Sequence, residues 1–166
     1  IETVGYLPLA LPGIVVGLSL VLFALTTIPA LYQTSFLLAF AYGILFMPKA
    51  IGGIRNAVTS VPRSVEDVAS TLGYTPVRRL TSVFIPMTKT SLLVAWLLIA
   101  VTAMKELTAT LMLRPTGLDT LATMLWAKTD VATYGAAAPY ALMLVLVTAI
   151  PAMLLSRTER KGGSLS

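Results

Sequence analysis

Residues 67–86 read DVASTLGYTPVRRLTSVFIP, and this stretch decides how the chain is organised. It is polar and carries two adjacent arginines, Arg78 and Arg79, yet it lies between segments apolar enough to cross a bilayer. Gly73 and Pro76 divide it into two short stretches with helical periodicity. The pattern therefore predicts a loop of two short helices between membrane-spanning segments.

The composition is typical of a membrane protein. Hydrophobic residues make up 57% and charged residues 11% of the chain, and the mean hydropathy is +0.87. Soluble domains are about half apolar and about a quarter charged. Cysteine and histidine are absent, which excludes disulfides, thiolate chemistry, histidine bases and the usual zinc sites. We expect one all-α, polytopic helical bundle over residues 1–166.

Four segments are predicted to span the membrane, because one crossing needs roughly 20 apolar residues. They are residues 6–31, 33–54, 90–113 and 131–155. Six of the twelve basic residues lie in one stretch of the chain: Lys49, Arg55, Arg63, Arg78, Arg79 and Lys89. Basic segments stay on the cytoplasmic side, so loop 55–89 and the C-terminus are predicted to be cytoplasmic. This distribution accounts for the net charge of +5 without nucleic acid as a partner.

The segment between the last two predicted spans, residues 114–130, contains a candidate short helix. Asp119 is a candidate N-cap, and the helix would run to about Lys128. Trp126 suits the level of the lipid headgroups. The pattern leaves open whether this segment is interfacial or re-entrant.

The first helix of the loop, within residues 62–88, is predicted from its start signal and its periodicity. Ser64 is a candidate N-cap, with Asp67 at the third helical position in a capping box. Apolar residues then recur on one face: Val65, Val68, Ala69 and Leu72. Gly73 is the expected stop.

The second helix of the loop is predicted to follow at once. Thr75 is the expected cap and Pro76 takes the first helical position. Ile85 and Pro86 are expected to end this helix. Isolated helices shorter than about 12 residues are marginal in water, so both must dock on something. The pattern alone leaves two possibilities, which are the chain's own membrane region with its headgroup layer and a separate partner.

The same residues resemble the EAA loop of permeases of the type I ABC importers, the binding-protein-dependent, MetI-like family. The matching positions are Asp67, Val68, Ala69, Gly73, Val83, Ile85 and Pro86. Asp67 and Val68 replace the usual glutamate and alanine of that motif. The resemblance implies a MetI-like permease fold, here a partial one of about four spans plus the loop.

The resemblance also implies how such a chain works. In that family the loop inserts into a cleft of an ATPase subunit and couples ATP hydrolysis to alternating access. The residues that would carry this coupling here are Glu66, Asp67, Val68, Ala69, Leu72, Gly73, Arg78 and Pro86. The implied partners are ABC ATPase subunits, a second permease half or subunit, a periplasmic substrate-binding protein and the bilayer of a bacterial inner membrane.

Enzymatic activity is not expected of this chain itself. It has no GxxxxGK[ST] loop for phosphates and no motif that assembles a nucleophile and a base. No cofactor is expected on this chain, and ATP and Mg²⁺ belong to the partner ATPase.

Further segments resemble the ferric iron branch of the family. They are LPLALPGIVVGLSL at residues 7–20, the stretch 42–62 and AMKELTATLMLRPTGLDTLAT at residues 103–123. The resemblance implies ferric iron as cargo and the second half of a fused permease without its opening helix. Permeases for thiamine, polyamine, sulfate, molybdate or phosphonate remain alternatives. A membrane scaffold whose basic loop binds anionic lipid is the alternative from another class.

Two charged residues, Lys105 and Glu106, lie within the third predicted span. They either line a translocation path or gate, or lie near the outer interface and fix the depth of the helix. Arg114 is expected at the outer mouth, and Tyr42 is expected to pack helices through a hydrogen bond. No metal site is predicted, because spacing brings no set of oxygen ligands together.

Overall fold

The computed structural model describes residues 12–162, apart from the side chains of residues 63, 66, 150–152 and 154–162. The regular structure in this part of the chain is helical throughout, which confirms the predicted all-α class. The helices are α1 Gly13–Thr27, α2 Ser35–Thr59, α3 Arg63–Thr71, α4 Pro76–Met104, α5 Thr108–Leu113, α6 Leu121–Asp130 and α7 Tyr134–Gly162. A 3₁₀ turn, Pro29–Leu31, follows α1.

Two helices of the described part, α2 with 25 residues and α4 with 29, are long and apolar enough to cross a bilayer. Helix α1 and the Tyr134–Ala149 part of α7 are apolar but shorter. Helix α2 continues past the predicted segment 33–54, and the predicted segment 6–31 begins outside the described residues. The four crossings therefore stay a prediction.

The sequence predicted that the helix starting at Pro76 ends at Ile85 and Pro86. In the structure α4 continues past both residues, so this prediction is wrong. A first turn, Pro76–Arg79, passes into a π-helical segment, Leu80–Phe84, and then into α-helix as far as Met104. The N–H of Ile85 donates to the carbonyl of Leu80, five residues back. Proline clashes with the carbonyl four residues earlier in a regular α-helix, and the wider π turn before Pro86 relieves that conflict.

The predicted third span, residues 90–113, is interrupted. Helix α4 stops at Met104, residues 105–107 are not helical, and α5 begins at Thr108. The two charged residues of this span lie in the interruption.

The described contacts divide the chain into two compact units, one of which is Lys49–Leu97 and the other the residues before and after it. In the latter unit, α1 packs along α5 and α6 packs along α7. Its buried cluster contains Ala24, Leu37, Leu38, Ala41 and Leu113. A Cβ on Gly17 would lie 3.3 Å from the Cα of Ala109, so the glycine permits close approach of α1 and α5.

The unit Lys49–Leu97 contains the end of α2, all of α3 and most of α4. Gly53 of α2 lies so close to α4 that an added Cβ would collide with the Cβ of Ala95. Small residues at this point allow the two helix backbones to approach, as is common between helices in membranes.

Candidate functional site

The turn between α3 and α4 is built around Gly73. Its backbone has φ +71, in the left-handed region that residues with a Cβ rarely adopt. The N–H of Gly73 donates to the carbonyl of Ser70 at 3.0 Å, and the N–H of Tyr74 donates to that of Ala69 at 3.2 Å. These two bonds form a Schellman motif, which ends α3 as the sequence predicted.

The start of α3 differs from the prediction. The helix begins at Arg63 with Pro62 as its N-cap, and Pro62 has no side-chain donor or acceptor. Its carbonyl accepts from the N–H of Val65 at 3.1 Å, so the first helical turn closes before Ser64 can act as the cap. The predicted capping box of Ser64 and Asp67 is therefore wrong.

The start of α4 follows the prediction. The Oγ1 of Thr75 accepts from the N–H of Arg78 at 3.4 Å, and Pro76 occupies the first helical position. Proline is favoured there because the first N–H groups of a helix have no partner within it. The loop is therefore two helices set by a glycine stop and a threonine cap.

Most apolar side chains on this loop face outward. Ala69, on the predicted apolar face of α3, is buried, with 4% of its surface exposed. Four other apolar residues of the loop are more than half exposed. The exposed fractions are 58% for Val68, 66% for Leu72, 72% for Val77 and 54% for Leu80. Exposed large apolar side chains on an otherwise polar loop are candidates for contact with another molecule. We call these four residues the apolar stripe of the loop.

The charged candidates of the loop differ from one another. The guanidinium of Arg78 lies over the ring of Tyr74, 4.6 Å from its centroid, in an exposed position. Asp67 is exposed in the middle of α3, and its carbonyl accepts from the Ser70 hydroxyl at 2.7 Å. Pro86 is exposed within α4, and the side chain of Glu66 lies outside the described residues.

Arg79, next to Arg78, lies in a groove of about 410 Å³ that is lined also by Val58, Pro76, Leu80 and Phe84. Its Nε is buried and has no hydrogen-bond partner among the residues that the structure describes. The side chain as a whole is half-buried, and the other residues that line the groove are apolar.

The interruption after α4 is held by Glu106. Its Oε1 accepts from the N–H of Ala109 at 3.0 Å, and its carbonyl accepts from the Thr110 hydroxyl at 2.7 Å. A carboxylate is favourable at this end of α5 because the first N–H groups of a helix carry partial positive charge. A Cβ on Gly13 would lie 3.2 Å from Oε1, so α1 also packs against the carboxylate.

A second polar contact links α2 to the same point. The hydroxyls of Tyr42 and Thr110 lie 2.6 Å apart. Since the Thr110 hydroxyl donates to the carbonyl of Glu106, the Tyr42 hydroxyl donates to the Thr110 oxygen. The predicted helix-packing role of Tyr42 is thus observed. Lys105, in contrast, is exposed.

In the segment after α5, one arginine contacts residues four and five positions further along the same segment. Arg114 pairs with Asp119 and also donates to the carbonyl of Leu118 at 3.2 Å. Asp119 is therefore not the cap of α6, and this prediction is wrong. Thr120 is the cap, since its Oγ1 accepts from the N–H of Thr123 while the Oγ1 of Thr123 accepts from the N–H of Thr120.

No group of three acidic, histidine or cysteine side chains converges in the described part of the chain. Three features were not predicted from the sequence: the interruption at residues 105–107, the π turn before Pro86 and the buried Nε of Arg79. Two signals were present for the first two. Adjacent charges in an apolar stretch are poorly placed in a continuous span, and a proline in a helical pattern demands a local adjustment.

The sequence matches a known family along almost its whole length. Residues 1–161 match the family described as binding-protein-dependent transport system inner membrane component. This match covers both the two-helix loop and the interrupted helix.

Curated relatives cover the chain equally widely. The Fe(3+)-transport system permease protein FbpB 2 of Haemophilus influenzae is 38% identical over 157 residues, which are 95% of this chain and 31% of that protein. The putative 2-aminoethylphosphonate transport system permease protein PhnV of Salmonella typhimurium is 29% identical over 98% of this chain and 62% of its own length. Its counterpart in Salmonella choleraesuis is 30% identical over 96% of this chain and 59% of its own length. The chain thus spans about a third to six-tenths of these relatives.

Proposed function

The chain belongs to the family of binding-protein-dependent transport system inner membrane components, and we propose that it couples a separate ATPase to solute import through its two-helix loop. It is a MetI-type permease of an ABC importer, and its relatives are permease subunits rather than enzymes. We propose the coupling residues, the partners and the cargo, which family membership alone does not assign.

The observation that carries the proposal is the apolar stripe of the loop, Val68, Leu72, Val77 and Leu80. These side chains stay more than half exposed although the loop is capped and stopped like a defined structural element. A partner that covers them gains about 1.5–3 kcal/mol for each large side chain fully buried. The ATPase subunit is the partner whose movement such a contact transmits.

The mechanism that follows is alternating access. When two ATPase subunits close on ATP, they move the loop. Helix α4 begins within this loop at Pro76 and continues to Met104. A displacement at the start of a continuous helix is carried into the residues that follow it. A second permease half, which together with this chain encloses the path, and an external substrate-binding protein complete the importer. The loop and the C-terminus face the cytoplasm in this arrangement.

The interrupted helix supports a second part of the proposal, which concerns the path. Non-helical backbone at membrane depth is tolerated where it is buried in protein or lines a cavity. Broken helices of this kind supply binding sites in other transporters. We place Lys105 at the path or gate because it is exposed, whereas the contacts of Glu106 suit a role in holding the break.

The test of coupling is Leu72→Asp in the assembled importer. Loss of the buried leucine contact and the added charge lower the affinity for the ATPase subunit by roughly ten- to a hundredfold. Co-purification and ATP hydrolysis in proteoliposomes measure this. Ser70→Asp is the matched control, because Ser70 is also exposed and lies in the last turn of α3, two residues before the C-cap Leu72 and in another direction around the helix.

We expect Ser70→Asp to retain the ATPase subunit and Leu72→Asp to insert normally into the membrane. Normal association and hydrolysis in Leu72→Asp would remove the basis of the proposal. Equal loss in both variants would assign the effect to added negative charge instead of the apolar stripe.

We propose ferric iron as the cargo, supported by the 38% identity to the ferric permease against 29% and 30% for the phosphonate permeases. Uptake of labelled ferric iron and of 2-aminoethylphosphonate by cells that express the importer separates these two. Uptake of the phosphonate without iron would overturn the assignment. Thiamine, polyamine, sulfate and molybdate are the further cargoes to assay if neither enters.

A further inference from the structure

The groove around Arg79 combines one cation with an apolar lining. Val58, Pro76, Leu80 and Phe84 supply the lining, and the buried Nε of Arg79 has no acceptor in the described part of the chain. A buried donor without an acceptor is unfavourable, and a cation beside an apolar lining favours an anionic or hydrogen-bonding partner. The groove therefore suits a ligand with an anionic group next to an apolar part.

The position of the groove along α4 supports the same ligand. Helix α4 has 29 residues, and at about 1.5 Å per residue it exceeds the hydrocarbon thickness of about 30 Å. Lys105 and Glu106 follow directly at its far end, so the excess length lies at the Pro76 end. Residues 76–84 thus reach the headgroup layer of the bilayer.

The order of the lining residues matches the polarity of this layer. Phe84 is nearest to the long apolar part of α4, while Arg79 lies further toward the polar end. Lys89 lies beyond Phe84, and its long side chain can extend back to the same polar layer. The apolar end of the groove thus faces acyl chains and its cation faces phosphates.

From these three observations we propose that the groove binds an anionic phospholipid of the inner leaflet. The phosphate accepts from the Arg79 guanidinium, and the proximal part of one acyl chain lies against Phe84 and Val58. The groove volume of about 410 Å³ lies in the lower part of the range of roughly 300–1,000 Å³ for small-molecule sites. It therefore accommodates part of one lipid molecule.

Arg78 offers a matched comparison because it has the same charge and is the next residue. Its guanidinium stacks on Tyr74 and it is exposed, so it contributes to the general surface potential alone. A basic residue near an anionic surface changes lipid affinity by about fivefold through that potential. A direct charged hydrogen bond changes it by about ten- to a hundredfold.

The experiment is native mass spectrometry of the purified full-length permease with phosphatidylglycerol or phosphatidylcholine. We expect one tightly bound phosphatidylglycerol. Its affinity should fall about tenfold or more in Arg79→Gln and about fivefold or less in Arg78→Gln. Val58→Trp, which fills the groove and keeps both arginines, is expected to displace the same lipid. The readout uses neither the ATPase nor transport, so it is independent of the proposed function.

Three results would overturn the assignment. Equal losses in Arg79→Gln and Arg78→Gln would indicate a general charge effect. Displacement of the lipid by glycerol phosphate at equal concentration would indicate a headgroup site with no role for the groove. Release of the ATPase subunit in Arg79→Gln with unchanged lipid binding would make the ATPase the occupant.

Discussion

Among the interruptions of helical structure in the described residues, those at Gly73 and at residues 105–107 are stabilised in opposite ways. At Gly73 the backbone is satisfied by a Schellman motif, while the surrounding apolar side chains remain exposed. At residues 105–107 the side chain of Glu106 closes the break, and Tyr42, Thr110 and Gly13 pack around it.

This difference separates apolar side chains that the described chain leaves exposed from a carboxylate whose hydrogen bonds the chain supplies itself. Exposed apolar side chains contribute little to the stability of the chain by itself. They gain free energy only when a partner removes them from water. A partly buried carboxylate needs its hydrogen bonds within the same chain, since an unpaired one is costly. We therefore expect substitutions at the first interruption to change coupling and substitutions at the second to change stability.

Among changes to Gly73, Glu106 and Tyr42, the largest effect is expected for Gly73→Val. A residue with a Cβ in the left-handed region costs roughly 1–2 kcal/mol, and a β-branched one is less suited still. A change of this size alters an equilibrium by about 5- to 30-fold. We expect substrate-stimulated ATP hydrolysis in proteoliposomes to fall by that factor while membrane insertion is retained.

Gly117 provides the control for this substitution. It also has a positive φ, +84, and like Gly73 has no atom within 4 Å of an added Cβ. Gly117→Val therefore introduces comparable backbone strain in the other unit, where we expect little change in hydrolysis. If both variants lose coupling equally, strain anywhere in the chain is sufficient and the contrast between the interruptions fails.

An intermediate effect is expected for Glu106→Ala. The N–H of Ala109 then loses its acceptor, and loss of a helix cap costs about 0.5–2 kcal/mol. The melting temperature of the purified permease should fall, whereas ATPase association should persist. Glu106→Gln retains an acceptor oxygen and should recover most of the loss.

Lys105→Ala is the neighbouring comparison, because Lys105 is exposed and adjacent in the same break. We expect it to leave the melting temperature nearly unchanged. A drop as large as that of Glu106→Ala would mean that charge in the break, rather than the cap on α5, stabilises it.

The smallest effect is expected for Tyr42→Phe. This change removes one hydroxyl and its 2.6 Å contact with Thr110, whose own bond to the Glu106 carbonyl remains. Hydrogen bonds between membrane helices contribute about 0.6 kcal/mol on average. Thermal unfolding should register a small decrease, and a decrease larger than that of Glu106→Ala would reverse the ranking of the two contacts.

Local signals predicted much of the loop correctly. Gly73 as the stop of α3, with Thr75 and Pro76 at the start of α4, needed no information from distant residues, because caps and stops act within one helical turn. The same kind of argument failed at Ser64, where the carbonyl of Pro62 already closes the first turn.

Predictions that depended on alternative partners were less successful. Asp119 has the side chain of a good cap but pairs with Arg114, which leaves Thr120 to cap α6. Pro86 is a breaker in most helices, yet a π turn accommodates it here. Both outcomes depend on geometry that residue type and spacing leave open.

The sequence by itself determined the helical class, the apolar character of the spans and the stop–cap arrangement of the loop, because composition, periodicity and capping are local properties of the chain. The tertiary structure alone decided that Tyr42 and Gly13 pack around the break at Glu106, that the apolar stripe stays exposed and that the Nε of Arg79 is buried. These three depend on which atoms from distant parts of the sequence come within a few ångströms, and burial and hydrogen-bond pairing are properties of that arrangement.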